Sequence, residues 1–198
     1  MSFGKDPLVG AIDQGTSSSR FVVFCSRTGE IVCKAQKDLR TQCPRDGWVE
    51  MDPRELIDSV RYCISEGCSQ LQHHGYTVSD IKCVGVTNQR ETTVAWDKVS
   101  GRPLCNAIVW QDTRTAAIAD DLIESTETRS KEHFKVKTGL PIHPYFSALK
   151  MRWMLDNVEQ VKRANESGVL LMGTVDSWLI WNLTGGTQGG TSRCVEHV

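Results

Sequence analysis

Short apolar runs separated by turn residues open the chain. Residues 8–12, 20–25 and 31–39 are apolar or loosely alternating, and two polar, glycine-containing turns stand between them. Two tight turns between three such runs are typical of an antiparallel meander. The sequence therefore predicts three consecutive antiparallel strands at the start of the fold.

A long helical pattern follows this meander. Asp52 is a favourable N-cap, Pro53 suits the first helical position, and Glu55 completes a capping-box pattern. Apolar residues then recur at about helical spacing over residues 56–71. The remaining patterns predict a mixed α/β fold, with strands at 81–86, 92–96, 104–110 and 169–172, helices at about 114–123, 131–138, 146–157 and 174–183, and a loop at 185–191.

Composition and charge narrow the class of protein. A chain of 198 residues is expected to form one domain, or two small ones at most. Because 23 basic residues face 24 acidic ones, no overall basic field would attract nucleic acid or an anionic membrane. No apolar run approaches the roughly 18 residues of a membrane span. Residues 1–7 do not resemble a secretion signal, so a cytoplasmic protein is expected.

The eight cysteines favour free thiols over disulfides or a zinc site. None forms a Cys-x-x-Cys pair, and no Cys/His set has zinc-ligand spacing. Cys25, Cys33, Cys83 and Cys105 lie in or beside apolar strand-like runs. We therefore expect these four to be small buried hydrophobic residues.

The strongest local candidate for chemistry is the turn after the first predicted strand, residues 13–20. It combines Asp13, a glycine, four hydroxyl side chains and Arg20. A phosphate chain needs backbone N–H groups, short hydroxyl donors and a nearby cation, and an Asp there could hold Mg²⁺. The alternative is a solvated hairpin, since Asp, Gly and Ser are ordinary turn residues.

Further polar groups interrupt the later strands. Adjacent Arg90 and Glu91 could bind a polyol, because a guanidinium donates and a carboxylate accepts from neighbouring hydroxyls. The alternative is a surface ion pair of little consequence. Trp110 ends a predicted strand and could cover a small carbon skeleton or belong to the core. Tyr145 precedes a predicted helix, where its segment could also be a hydrophobic staple.

The final predicted helix, residues 174–183, is apolar over most of its circumference. Trp178 and Trp181 stand three residues apart, which is a spacing of core packing. Only fifteen residues follow Leu183, and they are too polar to cover two tryptophans. This pattern predicts exposed apolar surface and a poorly soluble chain. The alternative is that earlier helices already enclose this one.

Six segments in this order resemble the glycerol kinases of the FGGY carbohydrate-kinase family: residues 13–20, 47–53, 88–93, 106–112, 144–147 and 173–181. The similarity covers about residues 8–191. It implies a truncated N-terminal domain of the ribonuclease-H-like α/β fold shared with actin and hexokinase. The domain would span residues 1–191, and residues 192–198 would be a divergent tail.

The resemblance also implies a reaction and site residues. ATP and glycerol would give sn-glycerol 3-phosphate and ADP, with Mg²⁺. The residues that match the nucleotide contacts of the family are Thr16, Ser17, Ser18 and Arg20, and Asp13 matches the carboxylate near Mg²⁺. The residues that match the glycerol ligands are Arg90, Glu91 and Tyr145, and Trp110 would line the same pocket.

Family members are far longer than this chain. Their catalytic-base Asp, second phosphate loop and adenosine-binding segment lie beyond the matched part, so this chain would be a truncated form that is inactive alone. A non-catalytic polyol-binding fragment, or a partner of a full-length subunit, stays open as the alternative, and so does another sugar kinase of the family. Homo-oligomerisation and association with the outer mitochondrial membrane stay open for the full-length form.

Overall fold

The structure, a computed structural model, describes residues 5–188. This range divides into two compact units: unit 1 comprises residues 5–41 and 54–89, and unit 2 comprises residues 42–53 and 90–188. The strands are β1 (Leu8–Gln14), β2 (Ser18–Cys25), β3 (Ile31–Asp38), β4 (Glu50–Met51), β5 (Ile81–Asn88), β6 (Thr93–Asp97), β7 (Ala107–Ile108) and β8 (Leu170–Thr174). The α-helices are α1 (Pro53–Gln70), α2 (Ala116–Ser125), α3 (Lys135–Thr138), α4 (Ser147–Asn157), α5 (Glu159–Glu166) and α6 (Val175–Leu183).

Unit 1 is built on a four-stranded sheet in the order β3-β2-β1-β5. Strands β1, β2 and β3 form an antiparallel meander, which confirms the predicted arrangement. Strand β5 runs parallel to β1 along its other edge. Apolar residues alternate along β1 and β2, so that Leu8, Ile12, Phe21 and Val23 are buried.

Helix α1 supplies the other half of the unit 1 core. It begins at Pro53, as the N-cap pattern predicts. Its Ser59 hydroxyl lies 2.7 Å from the Ser19 hydroxyl of β2, and the Cys63 thiol donates to the Ser19 carbonyl. At Gly67 an added Cβ would lie 2.7 Å from the Phe21 ring, so only glycine allows this helix to approach the sheet so closely.

Within residues 5–188, strand β5 is one edge of this sheet and β3 is the other. Strand β5 has β1 on one side, and its residues Cys83 and Val84 are exposed. The prediction that Cys83 is buried is therefore wrong within the described residues, and Cys105 is only partly buried. Cys25 and Cys33 are buried as predicted, and the Cys33 thiol donates to the Gly67 carbonyl of α1. The seven cysteines within residues 5–188 are free thiols.

Unit 2 contains an antiparallel sheet in the order β4-β7-β6-β8. The predicted strand at 104–110 shrinks to the two residues of β7. Its ladder ends because the chain turns at once, with the Asp112 amide donating to the Val109 carbonyl. The sequence did not predict β4, whose two residues carry no period of their own and pair with β7.

The helices of unit 2 differ from their predicted bounds in three places. Helix α2 starts at Ala116 instead of residue 114, because residues 112–114 form a turn. Of the predicted helix 131–138, only the single turn of α3 is α-helical. Helix α5 was missed, because its strongly polar face leaves Val161 and Ala164 as its buried residues. Helix α4 and strand β8 lie within two residues of their predicted bounds.

Helix α6 packs more completely than its sequence predicts. Trp178 is 1% exposed and contacts the Trp96 ring edge-on at 5.4 Å between centroids, while Trp181 stacks on Trp178 at 6.0 Å. The expectation that both tryptophans lack cover is thus wrong for Trp178; Trp181 is partly buried and Leu183 exposed. The predicted loop 185–191 contains a 3₁₀ turn, Gly186–Gln188, and its last three residues, with the predicted tail 192–198, lie outside the described residues. Within residues 5–188, no helix is long and apolar enough to cross a membrane.

Candidate functional site

The predicted phosphate turn is the hairpin between β1 and β2 in unit 1. Gly15 donates its amide to the Ser18 carbonyl at 2.9 Å, which closes the turn. A Cβ on Gly15 would lie 3.2 Å from that same carbonyl, so the close approach favours glycine here. Of the predicted contacts, Ser17 is exposed and Thr16 is partly exposed, whereas Ser18 is buried. The tip of the hairpin therefore offers Thr16 and Ser17 to a ligand more readily than Ser18.

Asp13 and Arg20 face each other across this hairpin. They are cross-strand partners, and Arg20 Nη1 lies 2.9 Å from Asp13 Oδ2. Arg20 also donates from Nε to Gln36 on β3. Both charged side chains keep more than two-fifths of their surface exposed, so the pair remains accessible to a charged ligand.

The hairpin supplies a single accessible carboxylate as a candidate ligand for Mg²⁺. Among residues 5–188, no group of three or more His, Cys, Asp and Glu side chains is arranged to hold a metal ion. Mg²⁺ is often held by one or two carboxylates, with waters and substrate phosphates completing its shell. A single accessible carboxylate such as that of Asp13 suits this second arrangement.

Gln89 braces the base of the hairpin. Its backbone amide donates to the Gln14 carbonyl at 2.7 Å, and its side-chain amide donates to Gln14 and Gly15. Gln14 and Gln89 are both buried. These bonds fix the turn against the end of β5, a contact that sequence reasoning missed because it joins residues 75 positions apart.

Glu91 begins the candidate polyol site in unit 2. It has φ of +66°, a left-handed conformation that is uncommon for a residue with a side chain and costs on the order of 1 kcal/mol. Its carboxylate oxygen Oε2 accepts from the amide and the hydroxyl of Ser147, at 2.8 and 2.6 Å. The described residues form no hydrogen bond to Oε1. One oxygen thus anchors the carboxylate at the start of α4, and the other is available to a hydroxyl.

Two aromatic side chains lie beside this carboxylate. The Trp110 and Tyr145 rings meet edge to face, with centroids 6.1 Å apart, and Tyr145 also contacts Phe146 at 5.2 Å. Trp110 donates its backbone amide to the Thr92 hydroxyl, next to Glu91 in sequence. Both rings are only partly buried. The structure therefore gathers Glu91, Trp110 and Tyr145 in one place, and exposed Arg90 precedes Glu91 in the same turn.

A buried charge network supports the segment after Trp110. The Arg114 guanidinium bonds to both oxygens of Asp112 at 2.7–3.0 Å and to Glu50 at 2.8 Å. Its carbon Cζ lies 3.7 Å from the centroid of the Trp48 ring. Asp112 also accepts from the Val49 amide at 2.6 Å. Asp112 is thus committed to holding the turn.

Sequence reasoning also missed Ser147 and Lys150 on α4. Lys150 is fully buried, and its ammonium group donates to the carbonyls of Pro144 and Tyr145. Burial lowers the pKa of Lys150 to about 8, while the charges of Glu91 and Asp112 act in the opposite direction. A lysine at a core position of the α4 pattern was the available signal, because buried lysines are rare unless they have partners.

A family model for the N-terminal domain of the FGGY family of carbohydrate kinases matches residues 8–197. The chain belongs to this family. The match includes both units, and it spans the hairpin as well as the segment from Arg90 to Tyr145.

Three relatives show which members of the family this FGGY domain is similar to. It is 57% identical over 178 residues to a probable glycerol kinase of Caenorhabditis elegans, covering 90% of this chain and 36% of that protein. It is 52% identical to a glycerol kinase of Acidiphilium cryptum, with coverage of 92% and 35%. A crystal structure of Plasmodium falciparum glycerol kinase with ADP matches it with a TM-score of 0.85 and 33% identity, over 94% of this chain and 36% of that one.

The FGGY domain thus has the mixed α/β fold of the sugar kinases, which is the actin- and hexokinase-like ATPase fold. This confirms the fold class that the resemblance implied. The chain spans about a third of the length of the relatives it matches.

Proposed function

We propose that this chain is the N-terminal portion of a glycerol kinase, which transfers the γ-phosphoryl group of ATP to glycerol and yields sn-glycerol 3-phosphate and ADP. The observation that carries the proposal is the group in unit 2, where a fixed carboxylate with a free oxygen lies beside two half-exposed aromatic rings. The identity of 57% and 52% to two proteins named as glycerol kinases supports the same substrate.

Each residue of this group has a distinct proposed part in binding glycerol. Glu91 accepts from a glycerol hydroxyl through Oε1, because Ser147 occupies its other oxygen. Arg90 donates to hydroxyl oxygens from the exposed side of the same turn. Trp110 and Tyr145 cover the carbon skeleton and exclude water from it.

The hairpin of unit 1 is proposed to bind the nucleotide phosphates. Thr16, Ser17 and Ser18 would offer hydroxyl and backbone donors, and Arg20 would contact ADP. Asp13 would hold Mg²⁺ through its accessible carboxylate, together with phosphate and water. When bound, Mg²⁺ neutralises the charge that develops on the phosphates during transfer. Cytoplasmic location, oligomerisation and association with the outer mitochondrial membrane remain predictions from sequence.

A general base that activates the attacking hydroxyl typically contributes about 10²–10⁴ in rate. Because the resemblance assigns this base to the part of the longer kinases beyond the match, we predict no measurable phosphorylation by the 198-residue chain alone. ADP release with glycerol and Mg-ATP should appear only when the chain is fused to the remaining C-terminal portion of the Caenorhabditis elegans relative. Near-normal turnover by the chain alone, free of any full-length enzyme, would contradict this.

The fused enzyme also tests the pocket. Glu91→Ala and Arg90→Ala should each raise the KM for glycerol more than that for ATP, because each removes a charge-assisted hydrogen bond worth roughly 1.5–3 kcal/mol. Glu127→Ala and Arg102→Ala, which change exposed residues of unit 2, are the matched controls. An unchanged glycerol KM and kcat in Glu91→Ala would show that the pocket is assigned wrongly. Better use of a pentulose than of glycerol would favour another sugar kinase of the family.

A further inference from the structure

Lys150 is a buried cation whose hydrogen bonds go to backbone groups. It lies in the first turn of α4 and is fully buried. Its ammonium group donates to the Pro144 carbonyl at 3.2 Å and to the Tyr145 carbonyl. Within residues 5–188, it forms no ion pair with a carboxylate. The charge is therefore held by two carbonyl groups of a single turn, and Nζ also lies 5.8 Å from the centroid of the Tyr145 ring.

These two carbonyls flank Tyr145. The Pro144 carbonyl also accepts from the buried Thr115 hydroxyl at 3.3 Å. On the other side, the Tyr145 amide donates to His143 Nδ1 at 3.1 Å. The backbone is thus fixed on both sides of the residue whose ring meets Trp110.

Burial of an ammonium group at a core position costs desolvation free energy that an apolar side chain would not cost. Desolvation lowers the pKa of Lys150, which measures the penalty that burial puts on its charged form. A methionine has a similar length and would pack there with no charge to desolvate. What methionine cannot do is donate hydrogen bonds to the two carbonyls. The lysine is accordingly explained by the turn that it holds.

We infer that Lys150 is a positioning residue, which fixes the Pro144–Tyr145 backbone so that the Tyr145 ring is held against Trp110 before any ligand arrives. The consequence for glycerol rests on the proposed function of the site, whereas the consequence for the Tyr145 conformation does not. Lys150 acts through Tyr145, and the proposal assigns it no contact with the reacting atoms.

Fluorine NMR of the 198-residue chain labelled with 3-fluorotyrosine tests this inference. The chain has three tyrosines, Tyr62, Tyr76 and Tyr145, so a Tyr145→Phe variant assigns the signal of interest and the other two serve as internal references. Lys150→Met should shift and broaden the Tyr145 resonance at neutral pH and leave the two reference signals unchanged. Lys150→Arg should restore most of the wild-type signal, because arginine also donates to carbonyls. Lys162→Met, at an exposed position of α5, is the matched control.

Glycerol is then titrated into the same samples. We expect the glycerol affinity of Lys150→Met to be roughly tenfold lower than that of the wild type, which corresponds to the loss of one hydrogen bond to glycerol when Tyr145 is no longer held in place. A Tyr145 resonance of unchanged width in Lys150→Met would overturn the inference, because loss of the charge 5.8 Å from the ring centroid moves the resonance even when the ring is held as before. If that variant does not fold, Lys150→Leu, which also lacks a donor, replaces it, and a Tyr145 signal no more perturbed in Leu than in Arg would overturn the inference equally. If glycerol leaves the Tyr145 resonance of the wild-type chain unchanged, that result would count against the proposed function alone.

Discussion

Removing the carboxylate of Asp112 should strongly destabilise unit 2. The Asp112 and Arg114 side chains are only 1% and 3% exposed, and Asp112 accepts from the Arg114 guanidinium, the Arg114 amide and the Val49 amide. Asp112→Ala leaves an arginine charge buried with Glu50 as its remaining carboxylate partner. We therefore expect the free energy of unfolding to fall by about 3–5 kcal/mol, the usual cost of removing one partner from a buried pair.

The control for this variant is an ion pair of the same residue types on the surface. Arg152 Nε donates to Asp156 Oδ2 at 2.7 Å on α4 of unit 2, and the two side chains are 56% and 46% exposed. Asp156→Ala should change stability by less than about 0.5 kcal/mol, because water and salt screen such pairs.

Tryptophan fluorescence during urea unfolding is the appropriate assay, since all six tryptophans lie in unit 2 and Trp48 contacts Arg114 directly. Dilute protein keeps association out of the measurement. Asp112→Asn, which retains part of the hydrogen bonding, should fall between Asp112→Ala and the wild type. A loss below about 1 kcal/mol in Asp112→Ala would refute the view that this network holds the turn after Trp110.

Three further predictions use other parts of the chain. Exposed Cys83 should react with a thiol reagent well before Cys63, because Cys63 is buried and its burial raises the pKa of the thiol. Mass spectrometry of peptides measures the two rates, and equal rates would contradict the burial of the α1 face. Above about pH 8 the folded chain releases the Lys150 proton while the unfolded chain keeps it up to its ordinary pKa of 10.5. Wild-type stability should therefore rise relative to Lys150→Met across that interval, by up to about 3 kcal/mol, in paired urea titrations at several pH values; the carboxylates of Glu91 and Asp112 limit this shift. Finally, the open edge of β5 should make the isolated chain associate on size-exclusion chromatography and bind a hydrophobic dye, and a sharp monomer peak without dye binding would contradict this.

Local sequence signals were sufficient where neighbouring residues decide the structure. The glycine-containing turns predicted the β1-β2-β3 meander, and the Asp52-Pro53 pattern predicted the start of α1. In both cases the residues that form the turn or the helix cap lie within a few positions of one another, so a short segment of sequence is sufficient to predict it. The same is true of the turn before α4, which the Pro144-Tyr145 segment marked.

Contacts between distant segments were beyond the sequence pattern. Strand β4 pairs with β7, more than fifty residues later, and Glu50 also bridges to Gln42. Arg114 could not be recognised as the centre of a buried network, since its partner Glu50 and the Trp48 ring come from a segment that precedes α1. In the sequence, Ser147 has only the features of an ordinary first residue of a helix. Its hydrogen bonds to Glu91 form because the fold brings together two residues that lie 56 positions apart.

Burial along β5 was predicted wrongly for a different reason. Cys83 lies in an apolar strand-like run, and that apolar run alone led to the expectation that the cysteine is buried. In unit 1 the sheet ends at β5, so the apolar run meets solvent at Cys83 and Val84. The pattern correctly identified a strand that has the composition of a sheet interior, while its exposure depends on what else pairs with that edge.

The left-handed conformation of Glu91 brings these observations together. A strained backbone of this kind persists only where the surroundings compensate for it, and the two hydrogen bonds from Ser147 to the carboxylate are strong enough to do so. Across the site, Lys150 holds the turn that carries Tyr145. Glu91 and Tyr145, the two residues proposed to contact glycerol, are therefore both held by residues in the first turn of α4 before glycerol binds. A small polyol offers few contacts with which to order a flexible site, so residues that are already in place leave more of its limited binding energy for affinity.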